Sequence, residues 1–289
     1  MDEAGVIRRP ELPPGRAVDL AGRGTTFVRE LPGPPGAPTL LLLHGWTVTA
    51  DLNWFSAYHR LGERYRVVAL DHRGHGRGIR GDEPFTLEAC ADDAAALCDA
   101  LGIERCVVVG YSMGGTVAQL VWHRHRDLVD ALVLCSTGAH FSETRNEQIN
   151  FLGLGGLAAL ARLAPTRARQ WMGDQYLARR GRTYEAWALE ELARHDLAMV
   201  LEAGREIGHF SSDGWLGTID VPTAVIVTMD DQVVPVRRQL RLFEGIPTAV
   251  AYRVDGHHDA VVSHADTYLP VLLEACGYVA DRARLRRSA

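Results

Sequence analysis

Short runs of apolar, often β-branched residues recur along this 289-residue chain with longer helix-compatible stretches between them. That alternation constrains the fold more than any other feature. Residues 39–43 read TLLLL, 67–70 VVAL, 106–109 CVVV, 132–135 LVLC and 224–227 AVIV, and 248–254 form a weaker run. Runs this short and this apolar are strands buried on both faces, as parallel sheets require. The stretches 86–101, 113–125, 235–243 and 265–279 carry helical patterns. Strand-helix alternation predicts an α/β fold, an open and mostly parallel sheet with helices on both sides. Ahead of it, residues 17–31 are expected to form an antiparallel edge hairpin around Gly22-Arg23-Gly24.

The alternation breaks once. Residues 138–215 hold no convincing strand, only Ala-, Leu- and Arg-rich sequence punctuated by Gly155-Gly156, Pro165 and Gly181. The stretch is too long for a loop in a compact domain and is expected to form about three or four helices. The expected organisation is a core domain built from 1–137 and 216–289, with 138–215 inserted as a helical cap over the C-terminal ends of the strands.

The most specific chemical signal is Gly110-Tyr111-Ser112-Met113-Gly114, followed by Gly115. It lies directly after an apolar run and before a helical pattern, the strand-turn-helix setting of a G-x-S-x-G nucleophile elbow. Such a turn strains the serine backbone, leaves no room for side chains two residues away, and lifts the hydroxyl beside the positive end of the next helix. Two further turns follow earlier strands: His44-Gly45-Trp46, and Asp71-His72-Arg73-Gly74-His75-Gly76.

In this order and spacing the three segments resemble the α/β-hydrolase fold family, and the resemblance spans nearly the whole chain. It implies an eight-stranded type of sheet with an inserted lid. It also implies an oxyanion hole made by the backbone N–H groups of Trp46 and Met113, and a bracing role for the 71–76 turn. A serine hydroxyl needs a base, and the base an orienting acid, which in this family come in the order Ser, acid, His. The family places the acid four residues before a proline that opens the next helix, which selects Asp231 over Asp230 ahead of Pro235. The position after the preceding strand, Ser136-Thr137-Gly138, has no carboxylate. The base is one of two neighbours, His257 or His258. The Gly256-His257 pair favours the first. Spacing to the first buried aromatic of the last helix, Tyr268, favours His258, which is the expected base.

The resemblance implies a serine hydrolase of carboxylic esters or related acyl bonds, acting on a small apolar ester-like molecule. Lactone, thioester and C–C bond hydrolysis, or cofactor-free perhydrolysis, use the same residues. Serine at the elbow argues against relatives that need aspartate there. A non-catalytic small-molecule binder needs none of the three residues and is disfavoured for that reason. The aromatics Phe141, Phe151, Trp171, Tyr176, Tyr184, Trp187, Phe210 and Trp215 are expected partly to pack the cap and partly to line an apolar pocket. Tyr111 is expected to be packing, and His123 and His125 surface residues at a helix C-terminus.

Composition closes other routes. All 31 basic residues are Arg, which removes Schiff-base chemistry and any P-loop lysine. A net charge of -5 gives no footprint for nucleic acid. The five cysteines are scattered without a C-x-x-C pair and read as buried thiols. His72 and His75 have metal-like spacing but no third ligand, so no metal or cofactor is expected. The N-terminus lacks an apolar signal core and no run reaches the ~18 residues of a membrane span, so a cytoplasmic protein is expected. A homodimer is left open.

Overall fold

The computed structural model describes residues 10–163 and 186–288. One eight-stranded sheet organises them, ordered β1-β2-β4-β3-β5-β6-β7-β8. The edge hairpin is β1 (Gly15–Leu20) and β2 (Gly24–Leu31), antiparallel to each other and to β4 (Arg66–Leu70). The rest is parallel: β3 (Thr39–Leu43), β5 (Cys106–Tyr111), β6 (Val129–Cys135), β7 (Thr223–Thr228) and β8 (Ala249–Val254). The apolar runs become central strands because both faces are covered. Leu41, Leu43, Val108, Leu132 and Leu134 join one core, while Leu40, Leu42, Val107, Val109 and Val133 join the other. The alternation follows from successive side chains pointing to opposite faces of a strand.

Helices α3 (Leu87–Ala100) and α4 (Met113–Arg124) pack together on the first face. α8 (Val236–Gly245), the short α9 (Ala260–Ser263) and α10 (Ala265–Ser288) complete the alternation. Two short helices, α1 (Ala50–Trp54) and α2 (Tyr58–Gly62), follow β3 and were not legible as periodic patterns. They exist because Thr49 accepts the Leu52 N–H as a cap and because Trp54, Tyr58 and Leu61 are fully buried.

Between β6 and β7 the described elements are α5 (Arg145–Leu163), α6 (Ala186–Ala193) and α7 (Leu197–His209), with α5 packed along α7. Among the described residues of 138–215 the only β pairing is an isolated bridge between His140 and Ser211. The Gly155-Gly156 pair does not punctuate the helix: both lie inside α5. A Cβ on Gly155 would come within 2.9 Å of Arg205 Cδ, so the small residue permits close approach of α7. Pro165, Trp171, Tyr176, Gly181 and Tyr184 lie outside the described residues. All five cysteines are buried and free. Among the described residues no helix is long and apolar enough to cross a membrane.

Candidate active site

Ser112 sits between the end of β5 and the start of α4 with φ 54° and ψ -117°, a conformation that costs an L-residue energy and persists only when its surroundings enforce it. The enforcement is visible. A Cβ on Gly110 would lie 2.2 Å from the Gly114 carbonyl oxygen, and one on Gly114 would lie 2.1 Å from that of Leu43. The Ser112 N–H donates to Cys135 O at 2.9 Å, and its carbonyl accepts from Thr137 Oγ1 at 2.7 Å. Glycine flanks the serine because the turn brings three backbones into contact.

The loop after β8 delivers His258. Its Nε2 is 2.9 Å from Ser112 Oγ, and its Nδ1 is 2.7 Å from Asp231 Oδ2. Asp231 is fixed in the turn after β7, where its Oδ1 accepts the N–H groups of Val233 and Val234, both at 2.8 Å. Gln239 of α8 adds a donor to Oδ2 at 3.2 Å. An ionised carboxylate only accepts, so His258 carries its proton on Nδ1 and leaves Nε2 free to accept from the serine hydroxyl. Tyr111 holds the other end of this arrangement, its hydroxyl donating to the His258 carbonyl at 2.7 Å. Burial pushes the Tyr111 hydroxyl well above the usual tyrosine range, which keeps it a donor. The residue expected only to pack therefore also fixes the histidine loop.

His257 turns away from the serine, with Nδ1 3.1 Å from the Asp230 carbonyl and the side chain exposed. Asp230 is exposed and its N–H donates to Gly256 O, so it plays no part in the relay.

The loop after β3 passes against the serine: a Cβ on Gly45 would be 3.5 Å from Ser112 Cβ. Met113 is the first residue of α4, so its N–H has no intrahelical acceptor. Gly45 N–H donates to Asn53 Oδ1 at 2.9 Å, and its carbonyl lies 2.7 Å from His44 Nδ1. His44 Nε2 accepts the His72 N–H at 2.9 Å, which assigns the His44 proton to Nδ1. Behind the loop, the rings of His72, His44, His75 and His195, in that order, form a chain with centroids 4.4, 5.4 and 5.3 Å apart. Burial drives all four below the ordinary imidazole value. His72 and His195 fall to about 4, and His44 and His75 lie well below it, pushed further by neighbouring imidazoles. They are neutral at pH 7. Among the described residues no three His, Cys, Asp or Glu side chains converge as metal ligands do.

The 71–76 turn braces this region as its resemblance implied. Asp71 accepts the N–H groups of Ala50 and Arg77, both at 2.9 Å, yet burial still lifts its carboxyl to about 6. Arg77 spans from Asp51 at 2.7 Å to Glu191 of α6 at 3.3 Å. Gln239, Thr137 and His195 were missed by sequence reading. The only trace of Gln239 is a polar residue on the buried side of α8, and His195 lies more than a hundred residues from its partners.

The described aromatics of 138–215 pack. Phe141 and Phe210 are buried, Trp187 meets Phe55 edge-on at 5.5 Å, and a Cβ on Gly208 would strike the Phe151 ring. Trp215, one of the aromatics expected to divide between cap packing and pocket lining, stacks on His123 at 4.4 Å and Trp122 at 6.0 Å. Those two residues end α4, on the order of 15 Å along the helix axis from Ser112.

A family model for the alpha/beta hydrolase fold matches residues 38–263. The RutD protein of Agrobacterium fabrum, provisionally named a carbamate hydrolase, is 29% identical over 82% of this chain and 92% of its own. The 2-hydroxy-6-oxo-6-(2'-aminophenyl)hexa-2,4-dienoic acid hydrolase of Metapseudomonas resinovorans is 26% identical over 95% of this chain and 93% of its own. The solved enol-lactonase of Burkholderia xenovorans matches with a TM-score of 0.73 at 21% identity, over 90% of this chain and 98% of that one, a likeness of fold. With the matched family model covering most of the chain and the sheet order and elbow as described, this chain belongs to the α/β-hydrolase fold family.

Proposed function

We propose that the protein is a serine hydrolase that cleaves a carboxylic ester or related acyl bond, with Ser112 as nucleophile, His258 as base and Asp231 as its orienting acid. The observation that carries this reading is the unbroken relay from Asp231 Oδ2 through both His258 nitrogens to the oxygen of a strained serine. As Ser112 Oγ bonds to the carbonyl carbon, its proton passes to His258 Nε2 and the carbonyl electron pair moves onto oxygen. Asp231 stabilises the imidazolium, and the N–H groups of Trp46 and Met113 meet the oxyanion. The tetrahedral centre collapses, the leaving group takes the proton from Nε2, and water repeats the sequence to release the acid. No step calls for a metal or cofactor.

In the same reading, 138–215 is a helical cap on a core formed by 1–137 and 216–289, and it supplies the substrate-facing wall. A second reading, a carbamate or C–C bond as the scissile link, draws support from the names of the two relatives. Both differ from ester cleavage in what leaves, and the relay is the same. The test is turnover of short-chain p-nitrophenyl esters, lactones, thioesters and carbamates, with a fluorophosphonate label mapped by peptide mass. Ester turnover with the label on Ser112, and a loss of about 10⁴-fold in Ser112→Ala, is expected. No turnover across the panel and no label would leave a binding protein.

A further inference from the structure

The loop that follows β3 is held from two sides. The core side pins Gly45, through Asn53 on its N–H and His44 on its carbonyl. The other side is α7. The Trp46 indole Nε1–H donates to the Val200 carbonyl at 2.7 Å, and the ring lies over Gly204 one turn further on. A Cβ on Gly204 would come 2.5 Å from Leu154 Cδ1 of α5, 2.6 Å from Trp46 Cζ2 and 3.0 Å from Cη2, so the ring sits there only because residue 204 has no side chain. Immediately after Trp46 the chain reverses through Thr47 at φ 61°, a left-handed conformation disfavoured for a β-branched residue. Gly76 N–H donates to His195 Nδ1 at 2.9 Å, and Asp196 N–H to the Gly74 carbonyl at 2.8 Å, so the start of α7 is itself docked on the core.

Resting on the hydrolase reading above, we infer that α7 sets the aim of the Trp46 backbone N–H, with the indole, the Val200 carbonyl and Gly204 as the positioning contact. The direction of that N–H depends on the dihedrals at residues 45 and 46. Gly45 is pinned by its two hydrogen bonds, and the strained Thr47 turn supplies no restoring preference of its own. The remaining freedom is removed by the indole, which reaches its hydrogen bond and its seat in one backbone setting. A donor to an oxyanion must lie within about 2.7–3.1 Å of it, so a small rotation of the peptide weakens transition-state binding without altering ground-state binding. Cap and oxyanion site are thereby one mechanical unit: the cap shapes the pocket and also aims a donor that α7 itself does not carry.

The test uses the full chain and three variants. Trp46→Phe keeps a ring on the seat but loses the N–H. Gly204→Ala puts a methyl into the seat. Gly208→Ala perturbs the same helix against Phe151, away from Trp46, and reports the effect of loosened cap packing alone. Trp46→Phe and Gly204→Ala are expected to lose about 10- to 100-fold in kcat with KM within about threefold. An alkyl trifluoromethyl ketone, which forms a hemiketal oxyanion on Ser112, should weaken by the same factor. The double variant should lose no more than the worse single one, because both act through one contact. Gly208→Ala should keep wild-type kcat, with melting temperatures showing that all variants fold. If wild type turns over ester and is trapped by the ketone, but Trp46→Phe and Gly204→Ala match it in kcat and inhibition, the inference fails and the hydrolase reading stands. Equal losses in Gly208→Ala also overturn it, since general cap packing then accounts for the effect. Absence of Ser112-dependent trapping in wild type removes both readings together.

Discussion

Acidification should cost this protein stability at pH values where ordinary carboxylates are still ionised, because of the imidazoles stacked behind the site. A histidine whose folded pKa lies below its unfolded value binds more protons when unfolded, so stability is lost as pH falls from the unfolded value toward the folded one. With His72 and His195 at about 4 against an ordinary 6.5, each gives up about 2 kcal/mol between pH 7.5 and 5. Asp71 acts in the opposite sense. Its carboxyl is raised from 3.8 to about 6, so its contribution is complete below the unfolded value and lost as pH rises through 6. Over the same acidification it returns about 1 kcal/mol. The net loss is about 3 kcal/mol at pH 5, before His44 and His75, held lower still, are added. Against a typical stability of about 5–15 kcal/mol, that is a large fraction. Urea denaturation followed by tryptophan fluorescence at pH 7.5, 6.5, 5.5 and 5 should show the midpoint falling at constant slope. His72→Leu assigns the effect. Neither ring nitrogen of His72 has a hydrogen-bond partner among the described residues, so the leucine removes a titrating group without breaking a bond. It should recover about 2 kcal/mol of the loss at pH 5 and change little at pH 7.5. Identical pH dependences in wild type and His72→Leu would refute the reasoning.

Three further outcomes are expected. His258→Ala should lose about 10⁴-fold or more in turnover while His257→Ala stays within about threefold, measured at saturating ester; the reverse pattern would reassign the base. Tyr111→Phe, which frees the His258 carbonyl but keeps the packing ring, should lower kcat about 3- to 30-fold through misplacement of the imidazole, and a wild-type kcat would show the loop is held without it. Trp215→Ala should destabilise by about 1–3 kcal/mol through lost stacking on Trp122 and His123 while leaving the order of preference among acyl chain lengths unchanged; a reordered series would place the residue in the pocket after all.

Much of this architecture was legible because it is written locally. The central apolar runs became strands within a few residues of their sequence bounds, since burial on both faces favours apolar side chains; the weaker 248–254 run became the edge strand β8, where Arg253 is exposed. The elbow was legible because the steric demand on Gly110 and Gly114 admits one residue type. The preference for His258 over His257 came from spacing to Tyr268, a residue fully buried in the last helix, and in the folded loop His258 lies within reach of Ser112 while His257 turns to the Asp230 carbonyl. What the sequence did not show is long-range and polar. Gln239 reads as any helix residue until the Asp231 turn folds over it, and the exchange between Trp46 and α7 joins residues 154 positions apart. Gly155-Gly156 misled because glycine usually ends a helix, whereas here it admits Arg205 of a packed neighbour.

Polar links join the 138–215 region to the rest of the chain alongside apolar packing, for Met199, Ala203 and Ile207 of α7 belong to the same core as Leu41 and Val108, and those polar links bear on how such a site fails. Arg77 reaches Glu191, Gly76 reaches His195, Trp46 reaches Val200, and Glu202 takes both Arg162 and the Phe85 N–H. Such bonds contribute about 0.5–1.5 kcal/mol each when neutral and about 1.5–3 kcal/mol when a partner is charged, as with Glu191 and Glu202, so none alone decides whether the chain folds. Each nevertheless fixes an angle, and the chemistry proposed at Ser112 depends on angles to within fractions of an ångström. The apolar cores on the two faces of the sheet therefore govern folding. The contacts at the rim of α6 and α7 govern alignment, and substitutions there should separate rate from stability.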